Sequence, residues 1–127
     1  MPKAQGTFIV DIRPLTPGPA EGIGRYTINK QIDGDLQAST IGEMFTGGDP
    51  KRGAAGYVAI ERVIGKLHGR YGSFALQHFA TIDGNGHSMQ VIVAPGTGAG
   101  ELEGIEGKFK IRAEDGIHFY DFEYSLP

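Results

Sequence analysis

"YVAIERVIGKLHGRYGSFALQHF", residues 57–79, alternates along both halves around a central "KLHGRYG", and its reading decides the fold. Period-two alternation on either side of a glycine-bearing centre predicts two antiparallel strands joined by a tight turn. With Gly69-Arg70 as a two-residue turn, His68 faces Tyr71, Glu61 faces His78 and Arg62 faces Gln77. Alternate residues share a sheet face. Tyr57, Ala59, Glu61 and Val63 therefore lie with Phe74, Leu76, His78 and Ala80. Val58, Ile60, Arg62 and Ile64 lie with Ser73, Ala75, Gln77 and Phe79. The first face is apolar and aromatic but holds a carboxylate and an imidazole. A longer turn would pair Glu61 with Ala80 instead and separate the two.

The same pattern extends in both directions. Phe8, Val10 and Ile12 alternate near the N-terminus, and "TPGPAEG" (16–22) is a loop. Tyr26, Ile28, Lys30 and Ile32 oppose Arg25, Thr27, Asn29 and Gln31. "DGD" (33–35) turns the chain into a strand over 35–46, with Leu36, Ala38, Thr40 and Met44 on one face. "GGDPKRG" (47–53) ends that strand. After the hairpin, Asn85-Gly86 suits a type I′ turn, residues 87–94 form a strand, and Pro95 ends it. "GTGAGELEGIEG" connects to a strand near 107–114, "EDG" turns, and "IHFYDFEYSL" is the last strand. No window supports a helix of ten residues. Glycine, 21 of 127 residues, punctuates these segments at more than twice ordinary usage, as many short strands require.

A meander of eight or nine antiparallel strands must hide its edges, and closing into a barrel does so completely. An all-β, closed antiparallel β-barrel of residues 1–127, one domain, is the expected architecture. A sandwich satisfies the same alternation. An eight-stranded barrel has room inside for side chains or one small ligand.

Twelve basic against fifteen acidic residues give a net charge of −3, which argues against nucleic acid or an anionic membrane as partner. No apolar run is long enough to span a bilayer, and Asp11 and Arg13 interrupt any leader-like segment, so a cytoplasmic location is the default. The chain has no cysteine, and its four histidines (His68, His78, His87, His118) show no metal-ligand spacing. "VIVAPGTGAGELEG" lacks the ending of a phosphate loop. No cofactor or metal is expected.

Inside a barrel, Glu61 and His78 would perturb each other, as acid–base pairs do. Buried charge pairs are more often structural than catalytic. The last strand places His118, Tyr120, Phe122 and Tyr124 on one face, which suits a ligand cavity, a barrel core or an oligomer contact. Glu43 and Tyr26 are further candidates from neighbouring strands, with their facing open.

"GDLQASTIGEMF", "GYVAIERVIGKLHGRYGSFALQHFATI", "GTGAGELEGIEG" and "DGIHFYDFEYSLP" together resemble the bacterial DUF3224 family. The resemblance implies a calycin-like barrel of the allene-oxide-cyclase type, a superfamily that includes cyclases steering apolar substrates without a cofactor. Within those strings, Glu61 and His78 are the candidate catalytic pair, and Glu43, Tyr57, Gln77, His118, Tyr120 and Tyr124 the candidate ligand-binding residues. The first expectation is a barrel binding a small apolar or amphipathic ligand. The alternatives are a cofactor-independent isomerase or cyclase, and an oligomeric assembly module using outward Ile9, Ile41 and Phe45. Whether the chain is an enzyme stays open at this point.

Overall fold

Alternating segments separated by glycine turns become nine strands in the computed structural model, which describes residues 2–127. They are β1 (Lys3–Pro14), β2 (Ile23–Gly34), β3 (Leu36–Asp49), β4 (Ala54–Leu67), β5 (Arg70–Asp83), β6 (Gly86–Val93), β7 (Ala99–Gly100), β8 (Glu106–Glu114) and β9 (Ile117–Ser125). A single 3-10 turn, Pro50–Arg52, joins β3 to β4. The sheet runs β4-β3-β2-β1-β9-β8-β6-β5, and β4 pairs with β5 to close it. The result is an eight-stranded antiparallel barrel. The two-residue β7 continues the row that β6 begins along β5. Closure, rather than two stacked sheets, gives each of the eight long strands a neighbour on both sides, loosely so between β6 and β8.

Two turns differ from the sequence expectation. Leu67 pairs with Arg70, so the β4–β5 turn is His68-Gly69, one residue earlier than Gly69-Arg70. Both turn residues have positive φ, +47° and +82°, as a type I′ turn demands, and this places glycine second. His68 is held in that conformation by tertiary contacts. Its N–H donates to the Asp35 carbonyl at 2.9 Å and its Nδ1 meets the Tyr124 hydroxyl at 2.5 Å. The β5–β6 turn is Gly84-Asn85, not an Asn85-Gly86 type I′ turn. Positive φ there falls on Gly86 alone, and the Asp83 carboxylate accepts the Asn85 N–H at 2.7 Å.

The barrel has two unlike ends. At the base, Leu36, Leu67, Phe74, Phe109, Tyr120 and Phe122 fill the interior, and Leu102 and Ile105 from the 94–105 connection plug it. Phe109 meets Tyr120 edge-on at 5.0 Å between centroids, and Phe74 stacks on Phe122 at 5.7 Å. Such aromatic packing supplies most of the buried apolar area in a small domain. At the mouth, the connections 15–22, 50–53, 84–85 and 115–116 leave the interior reachable. The wall is uneven as well. β6 and β8 share one register pair, Ile92 with Lys108, and a cleft of about 470 Å³ beside it is lined by inward Val91 and Phe109 and by outward Gln90 and Lys108. Among the described residues no helix is long and apolar enough to cross a membrane.

Candidate functional site

Three ionisable side chains meet midway between base and mouth. Each occupies an inward position of a different strand: Lys30 on β2, Glu61 on β4 and His78 on β5. All three are buried, at 3%, 1% and 4% exposure. Glu61 Oε2 accepts a hydrogen bond from Lys30 Nζ at 2.9 Å and bonds His78 Nε2 as well. The turn one residue earlier than expected puts His78 opposite Ala59, and Glu61 opposite Leu76. Glu61 and His78 are therefore diagonal rather than direct partners, and long side chains reach each other across that spacing.

Local backbone makes room for the triad. The β2–β3 ladder pairs Ile28 with Gly42 and resumes at Gln31 with Ser39. In the interval the Lys30 N–H donates to Thr40 Oγ1 at 2.9 Å. Gly42 lies beside Glu61, and a Cβ there would sit 2.7 Å from the Glu61 Cβ, inside contact distance. The lysine ammonium lies 4.8 Å from the Phe8 ring centroid and 5.8 Å from that of Phe109, so two aromatic faces also stabilise its charge.

Electrostatics set the protonation pattern. Burial pushes the Glu61 carboxyl upward, but the His78 hydrogen bond and the Lys30 charge outweigh it and bring the pKa down to about 2. An ionised Glu61 can only accept, so the shared proton sits on His78 Nε2. Two of the triad's buried polar atoms then have no partner: Glu61 Oε1 and His78 Nδ1. Such orphans are costly in a core and mark a place where a ligand group or water would be satisfied.

Above the triad lies the mouth pocket, about 300 Å³, lined by Tyr26, Met44, Pro50, Tyr57, Ala80 and His87 among others. Tyr57 separates the two regions, its ring centroid 6.4 Å from that of His78. Burial, reinforced by the Glu61 charge, raises the Tyr57 pKa, which keeps the phenol protonated as a donor.

Of the residues expected at an interior site, Glu61, His78 and Tyr57 come together. Glu43 does not. It projects outward from β3 and pairs with Arg25 at 2.7 Å, because the even-numbered residues of β3 take the inner face. Gln77 is exposed on the outer face of β5, in keeping with its alternation against His78. His118 faces inward but stacks on Phe8, at 5.1 Å between centroids. Tyr120 and Tyr124 belong to the base. The Tyr120 hydroxyl accepts the Leu36 N–H at 3.0 Å and donates to the Asp33 carbonyl at 2.8 Å, and Tyr124 holds His68. Burial pushes the Tyr120 pKa up to about 12. Both tyrosines close the barrel end; the expectation that they line a ligand cavity is corrected by those bonds.

Sequence reasoning missed Lys30, Thr40 and His87 as site residues. Lys30 was legible in principle, a lone lysine between Ile28 and Ile32 on an apolar face. His87, just past the β5–β6 turn, is exposed but also lines the mouth.

Comparison with known proteins gives the same fold. A family model described as "Protein of unknown function (DUF3224)" matches residues 4–124. The crystal structure of a protein of unknown function from the DUF3224 family of Shewanella oneidensis MR-1 superposes with a TM-score of 0.89 at 40% identity, covering 100% of this chain and 98% of that one. A search of curated proteins returns no match. The matched span takes in every long strand of the barrel and all three members of the buried triad, and the chain belongs to the DUF3224 family.

Proposed function

We propose that the barrel binds a small, largely apolar molecule through its mouth, with one polar group of that molecule turned toward Tyr57 and the triad. The observation that carries this reading is the pairing of an apolar mouth pocket with two unpartnered polar atoms, His78 Nδ1 and Glu61 Oε1, on the inward side of Tyr57. Pockets of this kind take affinity from apolar walls and orientation from a few polar groups. A volume of about 300 Å³ suits one or two fused rings. Tyr57 donates, whereas His78 Nδ1 offers a lone pair once Nε2 carries the proton. A ligand with a hydroxyl on an apolar ring system fits both.

A second reading, cofactor-independent isomerisation, is favoured by the same orphaned imidazole nitrogen. In it His78 exchanges a proton with a carbon acid, Glu61 fixes the imidazole and Lys30 holds Glu61 ionised. Desolvation and positioning carry such chemistry without a metal.

One experiment addresses both. Titration with 1-naphthol, followed by its fluorescence, should show saturable one-to-one binding. Ala80→Phe, which projects a ring from the inner wall into the mouth, should abolish binding while circular dichroism shows the barrel still folded. Wild type without saturable binding, or Ala80→Phe binding as wild type does, removes the ligand reading. Deuterium exchange at the α-carbon of 2-tetralone should be accelerated by wild type and lost in His78→Gln at saturating tetralone, where weaker binding does not account for the loss. Equal rates in the two proteins leave binding without catalysis.

A further inference from the structure

The outside of the barrel is least polar where its longest strands lie together. On the outer face of β3, β4 and β5, Ile41 is 74% exposed and Phe79 61%, and Val58, Ile60 and Ile64 are each exposed by a third or more. The register makes these neighbours. Phe45, Val58 and Phe79 form one row across the three strands. Glu43, Ile60 and Gln77 form the next, followed by Ile41, Arg62 and Ala75. Together the five exposed apolar residues present roughly 500 Å² of surface, near the upper end of what a monomer leaves uncovered. Isolated exposed apolar residues need no explanation, but a contiguous patch in the middle of a sheet does.

We propose that this face packs against the same face of a second copy of the chain. Relief is the first argument. The Ile41–Ile60 ridge has a shallow hollow of about 500 Å³ on either side, one beside Arg62 and Ala75, the other beside Thr27, Asn29 and Phe45. When two such faces meet about a two-fold axis along the ridge, the ridges touch and the flanking hollows leave room for the longer side chains beside them, as an isologous interface allows. Charge is the second argument. Arg62 contacts only Ser73 Oγ, at 3.5 Å, and among the described residues it meets no carboxylate within ion-pair distance. Glu43, next to Ile60 on the opposite side of the ridge, is half-exposed and pairs with Arg25 of its own chain, so Arg62 of a second copy would share that carboxylate with Arg25. The two-fold places Arg62 of one copy against Glu43 of the other. Area is the third: roughly 500 Å² of contiguous apolar surface would supply most of the about 800 Å² per partner of ordinary stable interfaces.

Other occupants fit less well. Both edges of β4 are already paired, so an extended peptide cannot add to the sheet there. A lipid surface calls for a ring of basic residues around the apolar centre, whereas this face has the Arg25–Glu43 pair, Arg62 and Lys66 on a chain of net charge −3.

The test is the mass of the whole chain in solution by sedimentation velocity from about 1 to 200 µM, with Ile60→Lys, Arg62→Glu and the Arg62→Glu/Glu43→Arg exchange measured alongside. Wild type should sediment at twice the 13.6 kDa chain mass. Ile60→Lys should weaken association by roughly 30-fold or more, as loss of a central interface residue does. Because Ile60 faces outward, its circular dichroism and melting profile should be those of the wild-type monomer. Arg62→Glu should weaken association and the charge exchange restore it, a rescue that a merely structural arginine would not give. A wild type that is monomeric throughout overturns the proposal, and so does a dimer untouched by Ile60→Lys. A monomer that instead cosediments with phosphatidylglycerol vesicles assigns the face to lipid and overturns it equally.

Discussion

Glu61 is the residue on which the interior depends, because it alone touches both other ionisable side chains. Its carboxyl titrates near an ordinary 4.5 in the unfolded chain and at about 2 in the barrel. The depressed value means that folding is favoured above the unfolded pKa and that this contribution is lost as pH falls from about 4.5 toward 2. The shift corresponds to on the order of 3 kcal/mol. Urea denaturation as a function of pH should show that acid limb, and Glu61→Gln should flatten it. At pH 7 the same variant leaves Lys30 buried without its counter-charge, and a loss of roughly 3–5 kcal/mol is expected. An unchanged urea midpoint in Glu61→Gln would contradict the triad as drawn. The shared face of Glu61 and His78 was legible from alternation plus a two-residue turn, because moving that turn by one residue shifts the pairing by two and leaves the faces unchanged. Lys30 was harder to read, because nothing local ties it to a carboxylate on the next strand but one.

Elements show the reverse balance: strands are plain in the sequence and turns are not. Two positive-φ residues make the β4–β5 turn type I′, and glycine is needed at its second position. Gly69→Ala places a Cβ at φ +82° and should cost about 1–2 kcal/mol. Gly84→Ala, in the β5–β6 turn, meets open space at a φ outside the left-handed region and should be neutral or slightly stabilising. Thermal melts of the two variants check the contrast, and equal melting temperatures would refute the turn assignments. The sequence showed glycines in both places. It did not show that His68 would accept a left-handed conformation, because the cause lies in Asp35 and Tyr124, distant along the chain. Two residues of register hang on that choice, and with them the diagonal approach of Glu61 to His78.

At the scale of the whole molecule, closure followed from edge strands needing partners, but the evenness of the closure did not. The single register pair between β6 and β8 leaves backbone groups facing a cleft instead of a neighbour. Hydrogen–deuterium exchange read by peptide mass should be fastest for strand segments 86–93 and 106–114 and slowest for 57–79, whose strands are paired on both sides. Uniform protection of all three would contradict the uneven wall. Sequence alone could not show this seam, because segments 87–94 and 107–114 alternate as regularly as any other.

The division of the barrel into a plugged base and a reachable mouth has a consequence for how such a protein can change. Nearly every aromatic ring that holds the chain together lies toward one end, together with the tyrosine hydroxyls that tie its turns. Substitutions at the other rim, at Met44, Ala80 or His87, would alter what is admitted while leaving that cohesive half intact. A scaffold organised in this way can exchange one cargo for another without having to refold its foundations.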